Sequence, residues 1–337
     1  MRRFRLRWWR LRRRLIMKTA AFLSIILFFG FVLAEDLTKH ANVRQLEAEE
    51  LLFADNGKVK IGVDAAMGAS ITFLDWEGYR RNVVNIHDPG RLIQQSYYAG
   101  KSLDRIADGQ SKSWSPWPWN PIQGGGVGSW ARVTTFEKTE GGSLYSETIP
   151  KLWDMYDEEA AAVMRQETGF EAGFPNVVVV KCELESRREE DDIWGPKGLR
   201  HQEIPALYFT RNFSLFRVYE GEGKWSEAPD EPGLPWSRIE APHKVMACFN
   251  LEGQGIAVFS PGATELWNYG AHGSGNSDEA TDGPCVHLAP IVKVNLLPKT
   301  TIRYRYWLVV GTEEEIVPVL DALIQKYRGE KVEMVNP

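Results

Sequence analysis

The chain has 337 residues, with 40 Lys and Arg against 45 Asp and Glu, a formal net charge of −5. Three cysteines are too few for a disulfide framework, no CxxC pair suggests zinc, and no basic surplus suggests a nucleic-acid partner. The length suits one large domain or two small ones, and no low-complexity linker divides it.

Met1–Arg14 holds eight arginines and no acid, and an apolar run from Thr19 to Leu33 ends in "FVLA" before Glu35 and Asp36. A basic segment, an apolar run and a small residue at the cut form the pattern of a secretory leader, residues 1–34, cleaved after Ala34. A bilayer-spanning helix needs about 20 apolar residues. The run is shorter, so cleavage is favoured over a retained anchor, and no stable membrane anchor is expected afterwards. The leader is also complete from Met17, an alternative start. Without it the chain keeps 31 basic and 45 acidic residues, a net charge of −14. A secreted or periplasmic protein with one domain over 35–337 is expected, with no metal and no other cofactor.

Strand signals dominate that domain. "KVKIGVD", "ASITFLD", "RNVVNI", "ARVTTFEK", "NVVVVKCELES", "PALYFTRNFSLFRVY", "KVMACFNL", "GIAVFS", "VHLAPIVKVNLL" and "TIRYRYWLVVG" are rich in β-branched and aromatic residues and bounded by Gly, Pro, Asn or Asp. Ile302, Tyr304, Tyr306 and Leu308 alternate with Arg303, Arg305 and Trp307. One helix is expected, about 315–328, stopped by Gly329 and tolerating Pro318 only in its first turn. Without a repeat period, these strands predict an all-β antiparallel sandwich.

Three polar-aromatic segments interrupt the pattern. "DPGRLIQQSYYAG" offers the donor fork of Arg91; alternation places Gln95 and Tyr97 on its face, and Gln94 and Tyr98 on the other. "SKSWSPWPWNPIQGGGVGSW" carries Trp114, Trp117, Trp119 and Trp130 on a proline-stiffened loop. Such rings suit the apolar faces of sugars, or else plug one end of the sandwich. "HQE" places His201 and Glu203 on one strand face, where the carboxylate can fix the imidazole tautomer. His87 reads as a turn neighbour of Asp88, and His272 as a residue of a mobile glycine-rich rim.

The order of these motifs resembles the aldose 1-epimerase (galactose mutarotase-like) superfamily over Val59 to Gly311. The matching stretches are "DAAMGASITFL", Gly90-Arg91, the run Asn120, Ile122, Gln123, Gly124 and Gly125, then His201, and the closing "LLPKTTIRYRYWLVVG". The resemblance implies an antiparallel β-supersandwich that binds sugar through Arg91, Asn120 and Gln123. It also implies a histidine and a late glutamate as proton-transfer pair. Here His287 stands where that glutamate is expected, and Gln123 where the first histidine is expected; an amide orients but cannot titrate.

Three functions follow, each with an oligo- or polysaccharide or a free sugar as partner. The favoured one is glycan cleavage by β-elimination at a uronic acid. Arg91, Asn120 and Gln123 would neutralise the carboxylate, His201 would be the base, and Tyr97 or Tyr98 the acid. Hydrolysis calls for paired carboxylates, for which Glu203 and Glu265 are the candidates. The second is sugar 1-epimerisation, with His287 or Glu265 replacing the missing glutamate. The third is glycan binding without turnover, carried by stacking on tryptophans that include Trp117 and Trp119.

Overall fold

Period-two patterning resolves into two large antiparallel sheets whose apolar faces meet in one core. The computed structural model describes residues 51–229 and 236–336, and the leader with its cleavage site lies outside them. The main path of the eleven-stranded first sheet runs Leu51–Asp55, Val59–Asp64, Ser70–Trp76, Ile93–Ser96, Arg200–Thr210, Cys285–Ala289, Trp267–His272, Ser237–Ile239. The ten-stranded second sheet is centred on Ala162–Phe170, Val177–Ser186, Thr301–Thr312 and Gln254–Phe259. Among the described residues no helix is long and apolar enough to cross a membrane.

The closing strand follows the expected alternation. Ile302, Tyr304, Tyr306 and Leu308 enter the core between the sheets, while Trp307 lies buried against the C-terminal helix. That helix spans Glu313–Tyr327, starting earlier than expected because Thr312 and Glu315 form a capping box. Pro318 therefore sits in the second turn and not the first, a correction to the sequence reading. Ile316, Leu320 and Leu323 are fully buried, each contributing about 1.5–3 kcal/mol by leaving water.

Two further differences have local causes. "RNVVNI" is not a strand: the Asn82 side chain accepts from Leu74 N at 3.1 Å and donates to Thr72 O at 2.8 Å, replacing ladder bonds. Ala162–Phe170 is a nine-residue strand that its Glu and Gln content conceals. Its outward Arg165 reaches Glu147, Glu183 and Glu185, so these charges form a cross-strand lattice. Cys182, Cys248 and Cys285 are buried free thiols.

The central strand Arg200–Thr210 positions the candidate site through a bulge. Glu203 pairs with Ser96, but Ala206 pairs with Gln94, so one extra residue lies between them. Residues five apart on a regular strand face opposite sides. The extra residue cancels that difference, and Glu203 and Tyr208 emerge together on the sheet face turned away from the core.

Candidate functional site

The turn before strand Ile93–Ser96 builds one wall. Asp88 Oδ1 accepts from Gly90 N at 2.8 Å, and Asp88 O from Arg91 N at 3.0 Å. Gly90 is required here because a Cβ would lie 2.5 Å from Cη2 of Trp153. Leu92 then adopts φ 72° and breaks strand alternation. Arg91 consequently leaves the face of Gln95 and Tyr97 and joins that of Glu203 and Tyr208, correcting the expected arrangement. Gln94 fixes the turn, donating to Pro89 O at 2.8 Å and accepting from Gly124 N at 2.6 Å.

Arg91 is the cation of the site. Its guanidinium carbon lies 5.3 Å from the centre of the Tyr208 ring, its Nε is 3.6 Å from Asp88 Oδ2, and its Nη2 is 3.2 Å from His272 Nδ1. A guanidinium only donates, so His272 Nδ1 is the acceptor and its imidazole is neutral in this contact. Burial, reinforced by the Arg91 charge, pushes the His272 pKa down to about 4. His272 closes the strand Trp267–His272 and is half-buried; it is not part of a loop.

His287 forms the floor. It is cross-strand partner to Tyr208, and its ring is sandwiched between Tyr208 at 4.4 Å and Trp236 at 4.5 Å. The ring is fully buried, and neither nitrogen has a hydrogen-bond partner among the described residues. Glu203 Oε1 stands 3.7 Å from His287 Nε2. Burial raises the Tyr208 pKa well above the phenol range; Glu203 adds to this and Arg91 opposes it. Burial and Glu203 likewise raise that of Tyr98. Both phenols are therefore proton donors at neutral pH.

The structure brings together Arg91, Tyr98, Glu203 and His287 from the expected set. Trp117 is half-exposed at the border, beside Tyr98 with ring centres 6.4 Å apart. His201 does not join them. It is exposed opposite Lys293, and burial followed by the charge of Arg238 lowers its pKa. Glu203 turns toward His287 instead.

The remaining expectations are corrected by burial. Tyr97 is a core residue whose hydroxyl donates to Gln95 Oε1 at 2.8 Å, and Gln95 Nε2 donates across the core to Arg165 O at 3.0 Å. Asn120 donates to Tyr97 O at 2.7 Å and accepts from Trp117 Nε1 at 3.0 Å. Gln123 accepts from Gln95 N at 3.1 Å and donates to Ala69 O at 2.9 Å. Trp119 is fully buried, 5.2 Å from the Arg188 guanidinium. These amides hold loops in place, and none points a free group at a ligand. Sequence reasoning missed Tyr208, Trp236 and Trp153, and undervalued His272. The available signal was strand parity, since Cys285 and His287 share a face and Cys285 pairs with His272.

No protein-family model matches the sequence, and a search of curated proteins finds no match. Solved structures with a similar fold include a provisionally assigned aldose 1-epimerase of Escherichia coli K12, 10% identical, covering 78% of this chain and 99% of that one at a TM-score of 0.42. The Slr1438 protein of Synechocystis sp. PCC 6803 is 9% identical, over 80% of this chain and 97% of that one, at 0.46. The heparan sulfate lyase HepC of Pedobacter heparinus is 8% identical at 0.38; the match covers 75% of this chain but only 33% of the lyase. Identities this low leave the chemistry of the side chains free to differ.

Proposed function

We propose that this chain is a secreted or periplasmic carbohydrate-active protein that cleaves a uronic-acid-containing glycan by β-elimination at the Arg91–Glu203–Tyr208–His287 cluster. The observation that carries this reading is the 3.7 Å contact between Glu203 and His287 beside an arginine that faces Tyr208. A carboxylate at this ion-pair distance, not hydrogen-bonded to the ring, stabilises the imidazolium that forms when His287 accepts a proton. The second proton-transfer group is then Tyr208, which its environment keeps protonated.

The chemistry follows from those roles. Arg91 pairs with the uronate carboxylate and stabilises the charge that develops when the neighbouring carbon loses its proton to His287. The released electron pair forms a carbon–carbon double bond, the glycosidic oxygen departs, and Tyr208 protonates it. The substrate must displace the Trp236 ring to reach the buried imidazole. The cluster offers little for hydrolysis, because Asp88 is engaged by Arg91 and Glu203 by His287, leaving no pair of free carboxylates.

A panel of uronate polymers assayed for the absorbance of unsaturated products tests the reading. Product with at least one polymer, lost in His287→Ala, is expected; no product with any polymer rejects it. One observation favours sugar 1-epimerisation as a second reading. Glu203 lies on the central strand and His287 on the late strand, the reverse of the order that the sequence resemblance implies. Polarimetry of freshly dissolved aldoses decides that case, since a rate equal to the buffer control removes it.

A further inference from the structure

Outside the proton-transfer cluster, the loops next to strand Ile93–Ser96 and the small sheet Ala99–Leu103 with Trp117–Trp119 carry a row of aromatic side chains that the chemistry does not use. Trp153, Trp114, Trp117 and Tyr98 follow one another with ring centres 5.5, 5.0 and 6.4 Å apart, each contact near perpendicular. All four are half-exposed, unlike the fully buried Trp119 of the same loop. The row meets the site at both ends. Trp153 packs on Gly90, next to Arg91, and Tyr98 senses the charge of Glu203. Trp114 Nε1 is buried without a hydrogen-bond partner among the described residues, so the row presents ring surface and not this N–H.

We propose that this row is a second sugar-binding subsite, so that the ligand is a glycan chain of several residues reaching from the cluster along these loops and not a free monosaccharide. A core plug would bury these rings, as it buries Trp119. The row is continuous with the cluster at both ends, and a sugar offers its apolar face to such rings. Contacts near perpendicular between neighbours stiffen the row, so little side-chain freedom is lost on binding. Serial rings also need serial sugars, which a one-residue ligand cannot supply.

The inference rests on the glycan reading of the neighbouring cluster, and its test separates the two. Isothermal titration with di-, tetra- and hexasaccharides from polygalacturonate, alginate and heparan sulfate gives affinity as a function of length. The His287→Ala protein is used, so that no chain is cleaved. Hexasaccharide affinity is expected to exceed disaccharide affinity by about tenfold or more. In Trp114→Ala that ratio should fall toward one with disaccharide affinity kept, which a folding defect would not leave intact, and Trp114→Phe should restore most of the ratio. No length dependence, no hexasaccharide binding, or a ratio unchanged in Trp114→Ala overturns the subsite. Length-dependent binding without unsaturated product from the unmutated protein upholds the subsite and rejects elimination. Elimination with equal affinity at every length does the reverse.

Discussion

Glu203 Oε1 and His287 Nε2 are 3.7 Å apart because the bulge between Glu203 and Ala206 turns Glu203 onto the face where His287 stands opposite Tyr208. The same imidazole is fully buried, and neither nitrogen has a hydrogen-bond partner among the described residues. An unpaired buried polar group costs about 1–3 kcal/mol, a cost that a purely structural ring would not need to carry.

His287→Phe should therefore separate stability from activity. A phenyl ring keeps the stack between Tyr208 and Trp236 and removes two orphaned nitrogens. Unfolding free energy is expected to stay level or rise by about 1 kcal/mol, while turnover falls by about 100-fold or more. Paired denaturant melts and product assays measure both. A large loss of stability would show that His287 is a structural residue with partners of its own.

How far the sequence revealed this site depends on strand parity. The closing strand was legible because Ile302 to Leu308 alternate without interruption and one face meets the core. Arg91 and Glu203 were recognisable as residue types, but their facing was not. Each flips at a single backbone irregularity, φ 72° at Leu92 and the bulge after Glu203, and no residue pattern announces either. Gln95, Asn120 and Gln123 misled for a different reason. Amides that look like ligand-orienting groups in sequence serve equally well to satisfy buried backbone, as Gln123 does for Gln95 N and Ala69 O. His201 and His287 were both visible as histidines, and only tertiary packing gave the aromatic sandwich to the second.

Gly90 ties the arginine turn to the aromatic row. In Gly90→Ala the new methyl group would lie 2.5 Å from Trp153 Cη2, and the indole must move. A loss of about 1–3 kcal/mol is expected from overpacking, together with weaker hexasaccharide binding. Adding Trp153→Ala should recover much of the stability without recovering binding. Simple additivity of the two substitutions in stability would contradict a direct contact.

Trp119 and Trp117 share a loop yet differ in burial, so truncation should affect them differently. Trp119→Ala empties a core site and should cost about 3–5 kcal/mol, with ligand affinity per folded molecule unchanged. Trp117→Ala removes a half-exposed ring and the donor to Asn120, with a smaller stability loss and a clear affinity loss. Thermal melts alongside titrations of the folded fraction distinguish the two.

The last prediction concerns acid, through His272. Its pKa is held near 4 in the fold, against an ordinary value of 6.5, by burial and then by Arg91. Between those two values the unfolded chain binds a proton that the folded one refuses, so unfolding is favoured as pH falls. Stability from this group is intact above pH 6.5 and declines through the window down to about 4. Below that the folded form also takes the proton, and the loss stops growing. A shift of this size corresponds to at most about 3 kcal/mol, reduced in practice because the ring is only half-buried. His272→Gln keeps an acceptor for Arg91 Nη2 and has no proton to bind. The variant's urea midpoint should change less between pH 7 and pH 4.5 than that of the unmutated protein. Equal acid sensitivity in both proteins would mean that His272 does not titrate in this window, and that the acid loss comes from the carboxylates paired elsewhere on the sheets.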